Sequence, residues 1–98
     1  MKTNYDKINS DLLIDTDTVN HGTIVGNVTI TNKSKLLQHG MINGNINIQK
    51  DSELINHGMI NGNISNNGIF RLYGTINGKI IDNNGKLFID KNALINDN

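Results

Sequence analysis

The sequence lacks cysteine, proline and tryptophan, has no net charge, and contains only two Tyr and two Phe. Without cysteine, neither a disulfide nor a thiolate metal site can stabilise the 98-residue chain, and a reducing compartment is its natural setting. Nine basic and nine acidic residues cancel, and no basic block is present. Nucleic acid and anionic membrane surfaces are therefore not expected as partners, because phosphate binding needs concentrated Lys and Arg. The scarcity of aromatic residues leaves the core to aliphatic side chains.

The first 18 residues contain no apolar run long enough for a signal peptide or a membrane span, so we expect a cytoplasmic protein. What the chain has in abundance is Ile, at 16 positions, and Asn, at 19, together with 10 Gly. Ile favours strands, whereas Asn and Gly tolerate the turn conformations between strands. Many short strands joined by many turns are predicted.

An internal repeat indicates how these strands are arranged. Residues 21–28 read HGTIVGNV, residues 39–46 read HGMINGNI, and residues 57–64 read HGMINGNI again, at a spacing of 18 residues. A fourth copy, YGTINGKI at 73–80, comes two residues earlier than this spacing requires, which indicates a shortened corner. Apolar residues in the copies recur with a period of two, which excludes helical repeats.

A unit of 18 residues suits one turn of a β-helix with three faces, with about six residues on each face. We therefore predict an all-β fold, a single short β-solenoid of about four 18-residue coils. Each strand should bond to its counterparts in the coils above and below, about 4.8 Å away. The solenoid domain is expected over residues 10–98, with a polar N-terminal tail or cap over residues 1–9.

Stacking the copies places equivalent residues in columns that point into the core. The predicted apolar columns are Ile24, Ile42, Ile60 and Ile76; Val28, Ile46, Ile64 and Ile80; Leu36, Leu54, Phe70 and Phe88; and Leu12, Ile30 and Ile48. Two further columns are glycine, namely Gly22, Gly40, Gly58 and Gly74, and Gly26, Gly44, Gly62 and Gly78. Repeated glycine indicates a tight corner or a positive φ, because glycine in a strand is otherwise entropically unfavourable.

A hairpin meander is the alternative fold, since Asn-Gly is the strongest short-range signal for a hairpin turn. The sequence has five such pairs, which begin at Asn43, Asn61, Asn67, Asn77 and Asn84. Three of them fall inside the repeated block, in the middle of an alternating stretch, where a hairpin turn would break the pattern. The solenoid is therefore preferred.

The unit G-x-I-x-G-N-I, seen in residues 40–46, resembles the repeat of the bactofilins, the polymer-forming cytoskeletal proteins of bacteria. The resemblance covers roughly residues 12–96. It implies a right-handed triangular β-helix that needs no nucleotide and polymerises end to end through its terminal coils. This chain departs from the family in having few coils, no Pro-rich or basic flanking tails, and a surface rich in Asn.

Three histidines, His21, His39 and His57, occupy one position in successive coils, and Tyr73 follows in the fourth. Strand spacing would set their rings about 5 Å apart. Imidazole is a common metal ligand, but a linear column does not converge three rings on one point. A structural stack is favoured, and no metal is expected.

Two asparagine columns are predicted on the surface. The first contains Asn27, Asn45 and Asn63, and the second contains Asn43, Asn61 and Asn77. Their amides could bind a ligand, but such columns more often hydrogen-bond to their own copies along the stack, as in cross-β assemblies.

No catalytic constellation is apparent. The chain has no cysteine nucleophile and no catalytic spacing of Ser with His, and its acidic residues are scattered through turns. A glycine-rich phosphate loop requires a following helix, and none is predicted. We expect no enzymatic activity and no cofactor.

Two functions fit these features. The first is a self-assembling scaffold of bactofilin type, a homo-oligomer joined through its terminal coils. The second is a small cytoplasmic protein-binding module, for example an immunity protein that neutralises a bacterial toxin by docking on its surface. The expected partner is protein in both cases. The candidate end-coil interface is Leu12, Leu13, Ile14, Phe88, Leu94 and Ile95, and the candidate lateral face is His21, His39, His57, Tyr73, Asn27, Asn45 and Asn63.

Overall fold

The computed structural model of the protein describes residues 1–97, in which 17 short strands form three parallel sheets. Sheet A consists, in spatial order, of β1 (Lys2–Asn4), β4 (Thr18–Asn20), β7 (Lys35–Gln38), β10 (Glu53–Asn56), β13 (Ile69–Leu72) and β16 (Lys86–Ile89). Sheet B consists of β2 (Lys7–Ile8), β5 (Thr23–Val25), β8 (Met41–Asn43), β11 (Met59–Asn61), β14 (Thr75–Asn77) and β17 (Leu94–Ile95). Sheet C consists of β3 (Leu12–Ile14), β6 (Val28–Ile30), β9 (Ile46–Ile48), β12 (Ile64–Asn66) and β15 (Ile80–Asn83). Residues 1–97 contain no helix, and therefore no helix that could span a membrane.

The chain passes through sheets A, B and C in turn, and each coil lies on the one before it. The predicted all-β solenoid with three faces is confirmed, and its turns wind in the right-handed sense that parallel connections favour. About six turns are present instead of the predicted four, because the first and last coils lack the glycine block that marks the repeat in the sequence. Residues 1–9, for which a polar tail or cap was predicted, contribute β1 and β2, which pair with β4 and β5 as the first coil.

The core is a stack of aliphatic side chains that point inward from all three sheets. Because equivalent residues of successive coils are hydrogen-bonded neighbours, each inward residue packs on its own copies. Three predicted columns are confirmed in register, namely Ile24, Ile42, Ile60 and Ile76; Val28, Ile46, Ile64 and Ile80; and Leu36, Leu54 and Phe70. All but the half-buried Ile80 are at most 1% exposed.

Two residues of the irregular end coils were placed in the wrong column. Leu12 pairs with Val28, so that Ile14, not Leu12, continues the column of Ile30. The coil from Leu12 to Val28 is two residues shorter than the regular repeat, because the corner between β3 and β4 is two residues shorter than that between β6 and β7, and this difference moves Leu12 into the neighbouring column.

At the other end, the partner of Phe70 is Leu87, whereas Phe88 pairs with Arg71 and is 46% exposed. The coil between Phe70 and Leu87 is one residue shorter than the regular repeat, and a shift of one residue turns a side chain to the opposite face of the strand. Phe88 is therefore a surface residue.

The glycine columns are required by the close approach of backbones at the coil corners. A Cβ atom built on Gly44 would overlap the carbonyl oxygen of Gly26 in the preceding coil, and one on Gly40 would overlap that of Gly22. The left-handed conformation occurs instead at Asn32, Lys33 and Asp51, with φ of 59°, 56° and 66°, in the corners between sheets C and A. Asn and Asp tolerate this conformation better than most residues.

The shortened corner lies between β12 and β13, where residues 67–68 replace the four residues 49–52 of the preceding coil. Asn66 takes the inward position held by Ile48 in that coil and is completely buried. Its Oδ1 accepts a hydrogen bond from the Gly68 N–H at 3.0 Å, and its Nδ2 donates to the Lys86 carbonyl oxygen at 2.8 Å. A buried amide thus supports the tighter turn.

Candidate interaction surfaces

A continuous stack of rings runs along the corner between sheets A and B. The aromatic ladder, as we name it, consists of Tyr5, His21, His39, His57 and Tyr73. Neighbouring ring centroids lie 4.8 to 5.2 Å apart, and their planes diverge by 7° to 12°. The predicted stack of three histidines and Tyr73 is therefore confirmed. Sequence reasoning missed Tyr5, because it belongs to a shorter coil that lacks the HG motif and falls outside the regular spacing.

The ring positions are determined by a column of buried amides directly before them in the chain, formed by Asn20, Gln38 and Asn56, each 0% exposed. The Asn20 Nδ2 donates to Gln38 Oε1 at 2.7 Å, and Asn20 Oδ1 accepts from the Gly22 N–H at 3.1 Å. Asn56 Oδ1 accepts from the Gly58 N–H in the same way, also at 3.1 Å. These bonds satisfy backbone groups at the corner. Sequence reasoning missed this amide column, although an Asn or Gln precedes each His-Gly pair in the sequence.

Within the ladder, the pKa of the middle histidine, His39, is shifted. Partial burial lowers the pKa of His39 below its ordinary value, and the like charges that His57 and His21 would carry lower it further. The rings stack face to face, and the three histidines remain exposed at the surface. Within residues 1–97, no three side chains of His, Asp or Glu converge to hold a metal ion.

The two asparagine columns bind their neighbours in different ways. In the column of Asn27, Asn45 and Asn63, each Oδ1 accepts from the backbone N–H of the next coil, at 2.9 Å, 2.9 Å and 3.0 Å. In the second column, the side chains bond to one another, with Asn61 Nδ2 donating to Asn43 Oδ1 at 2.6 Å and Asn77 Nδ2 to Asn61 Oδ1 at 2.7 Å. The prediction of bonding along the stack is confirmed, and these amides stabilise the coil spacing.

The N-terminal end of the solenoid is partly closed by polar groups. Lys2 and Asn4 occupy the inward positions of β1, in register with Thr18 and Asn20. Behind them, Ile8, Leu12 and Ile14 line a cavity of about 310 Å³. Among the predicted interface residues at this end, Leu12 is half-buried, Leu13 is 58% exposed and Ile14 is buried.

The C-terminal end, in contrast, leaves the apolar columns uncovered. Leu87, Ile89 and Ile95 occupy inward positions, in register with Phe70, Leu72 and Ile76, yet they are 37%, 44% and 39% exposed. Of the predicted interface residues, Phe88, Leu94 and Ile95 are all exposed here. Sequence reasoning missed Leu87 and Ile89, since the repeat placed Phe88 in the core. The last coil has strands in sheets A and B, and sheet C ends at β15 within residues 1–97.

No protein-family profile, no curated protein and no solved structure matches the chain.

Proposed function

We propose that the protein is a non-enzymatic scaffold of bactofilin type that binds further copies of itself through its terminal coils, in the cytoplasm. The observation that carries this proposal is the uncovered C-terminal end, where inward-pointing Leu87, Ile89 and Ile95 remain exposed. The outermost coil of a soluble solenoid usually presents a polar surface, whereas the last coil of the described residues presents an apolar one. Clustered apolar residues beside an open strand edge are typical of a protein interface.

The way the coils bind one another supports self-association. Every coil stacks on the next through parallel strand pairing, apolar columns and amide ladders. An end coil presents the same elements with one side unpaired, so the chain already has the chemistry that recognises a coil. The short solenoid, whose largest dimension is 28 Å, would be one building block of such an assembly.

The second candidate is a protein-binding module, such as an immunity protein that docks on a toxin. The outer face of sheet B favours this candidate. Its strands β5, β8, β11 and β14 contain no charged residue, and the face includes the partly exposed Met41 and Met59. The aromatic ladder borders this face. Flat, uncharged surfaces that contain Met and aromatic residues are enriched in protein interfaces.

Particle mass measured against protein concentration separates the two candidates. Sedimentation velocity from low to high micromolar concentration, followed by electron microscopy, should reveal a dimer or larger particles whose share rises with concentration if the scaffold proposal is correct. A monomer at every concentration would reject self-association and leave the binding module.

A further inference from the structure

We infer that the C-terminal end of one copy binds the C-terminal end of a second copy across a two-fold axis at Phe88, with the two β16 strands paired antiparallel. This inference rests on the proposed association through terminal coils and names which coil, which strand and which register form the contact. Four observations support it. The N-terminal end has an inward charge that the C-terminal end lacks, and β16 has free backbone groups, a symmetric charge pattern, and an apolar inner face opposite a charged outer one.

The two ends do not fit a head-to-tail stack. A second copy placed by its N-terminal end on β16 in continuous register would set Lys2 over Leu87, since both belong to the column of Thr18, Leu36 and Phe70. An ammonium group would then be covered by apolar side chains without a partner, which is strongly unfavourable. An inward-pointing charge on an edge strand is a known device against edge pairing. The C-terminal end has no such charge at Leu87, Ile89 or Ile95.

The free backbone groups of β16 have the spacing that antiparallel pairing requires. The N–H groups of Lys86 and Asp90 donate to the carbonyl oxygens of Gly68 and Leu72 in the preceding coil, both at 2.8 Å. In a parallel ladder, bonding alternates from residue to residue, so the N–H and C=O groups of Leu87 and Ile89 point away from the solenoid. Antiparallel strands bond through residues that exchange both groups. A two-fold axis at Phe88 places Leu87 of each copy opposite Ile89 of the other. Each of these two residue pairs exchanges two backbone hydrogen bonds, so the contact allows four.

Residues 86–90, with the sequence KLFID, have side chains that are complementary to those of a second copy running in the opposite direction about the same axis. Residues opposite each other in an antiparallel pair lie on the same face, so Lys86 meets Asp90 of the second copy on the outer face, and Phe88 meets Phe88. Leu87 and Ile89 meet on the inner face and continue the core. Moving the axis to Leu87 or to Ile89 would set Phe88 opposite Lys86 or Asp90 and would break the charge pairs. The register at Phe88 is thus selected by charge.

A two-fold contact has a consequence for assembly. It uses the same surface on both copies and therefore closes, so by itself it produces a dimer of fixed mass. Growth beyond the dimer needs a second contact at the N-terminal coil. The axis also brings β17 of each copy towards β15 of the other, where sheet C ends one coil early.

Cysteine cross-linking tests the axis directly, because the chain has no cysteine of its own. In a non-hydrogen-bonded antiparallel pair the two Cα atoms are about 4.5 Å apart, within the range of a disulfide. Phe88→Cys should therefore form a covalent dimer within minutes under mild oxidation at micromolar concentration. The control is Asn47→Cys, an exposed outward residue on the middle strand of sheet C and away from both end coils, which should remain monomeric on a denaturing gel.

Charge exchange tests the register. Lys86→Asp and Asp90→Lys should each raise the dissociation constant of the dimer by about tenfold, because two attractions become two repulsions. The double variant, Lys86→Asp with Asp90→Lys, should return to within about threefold of the parent, since the pairs are restored in reverse. Lys50→Asp, on an exposed corner of the third coil, is the matched control and should change nothing.

The outcomes separate this inference from the proposed function. A protein that remains monomeric at all concentrations contradicts both. Association that persists while Phe88→Cys fails to cross-link, or while Asn47→Cys cross-links equally fast, rejects the two-fold contact and leaves a scaffold with another interface. Additive losses in the double charge variant, without restoration, reject the register at Phe88.

Discussion

The imidazole of His39 stacks on that of His57 with ring centroids 5.2 Å apart and planes 12° apart. The same distance separates His39 from His21 on its other side. His39 is thus the histidine of the ladder with an imidazole on both faces, and its protonation is opposed from two directions.

Acidification should destabilise the protein through His39. Its pKa in the folded state is lowered by partial desolvation first and then by His57 and His21, from an ordinary value near 6.5. The unfolded state then binds more protons as the pH falls through that value. The free energy of unfolding should therefore decrease as the pH drops below about 6.5 and become constant below the folded pKa. NMR titration would measure the pKa of His39 in the folded state, and urea unfolding at several pH values would measure the free energy of unfolding.

His39→Gln is the variant that isolates this effect, because Gln is polar but does not titrate in this range. It should flatten the pH dependence of stability between about pH 7 and pH 5 more than His57→Gln does. An equal effect of the two substitutions, or an unshifted His39 midpoint, would contradict the assignment to stacking.

Truncation in the middle of the core should be costly. Ile46 is 1% exposed and packs between Val28 and Ile64, so Ile46→Ala should lower the free energy of unfolding by about 2–5 kcal/mol through lost burial and a cavity. Asn47→Ser, at the outward neighbour on the same strand, should cost less than about 0.5 kcal/mol. Urea denaturation of both variants checks the inward and outward positions, and similar losses would show the register to be wrong.

The buried amide column should be sensitive to loss of one partner. Gln38 Oε1 accepts from Asn20 Nδ2 at 2.7 Å, so Gln38→Leu would leave a buried donor poorly paired, at a cost of about 1–3 kcal/mol. Leucine fits this column sterically, since Leu72 occupies the same position two coils later. A thermal melt of Gln38→Leu against Leu37→Ala, on the outer face of the same strand, measures the difference. An unchanged or raised melting temperature for Gln38→Leu would mean that the column needs no amide there.

A charge at the open end should block association without unfolding the chain. Ile89 points inward on β16 but is 44% exposed, so Ile89→Lys places an ammonium group where a second copy would be buried. Sedimentation should then show only monomers, with an unchanged β-rich circular dichroism spectrum. Val25→Lys, at an exposed position on β5 of sheet B at the far side of the solenoid from β16, is the control and should associate normally. Retained association of Ile89→Lys would place the interface elsewhere.

The sequence by itself determined the solenoid, the three regular core columns and the histidine stack. The physical reason is that identical coils lie directly on one another, so a residue contacts its own copies and sequence spacing becomes spatial contact. Ile42 therefore had to lie between Ile24 and Ile60, and His39 between His21 and His57, as the strand pairing shows.

Only the tertiary structure decided what happens where the repeat is imperfect. A corner shortened by two residues and a bulge at Ile81 within β15, which adds one, change the register, and the net shift by one residue turns Phe88 outward and Leu87 inward. Burial of Asn20 and Asn66 likewise depends on backbone groups at the corners, whose need for hydrogen bonds is not visible in the sequence. The open C-terminal end follows from the same register, because the corner lengths and the β15 bulge put apolar side chains inward in the last coil of the described residues.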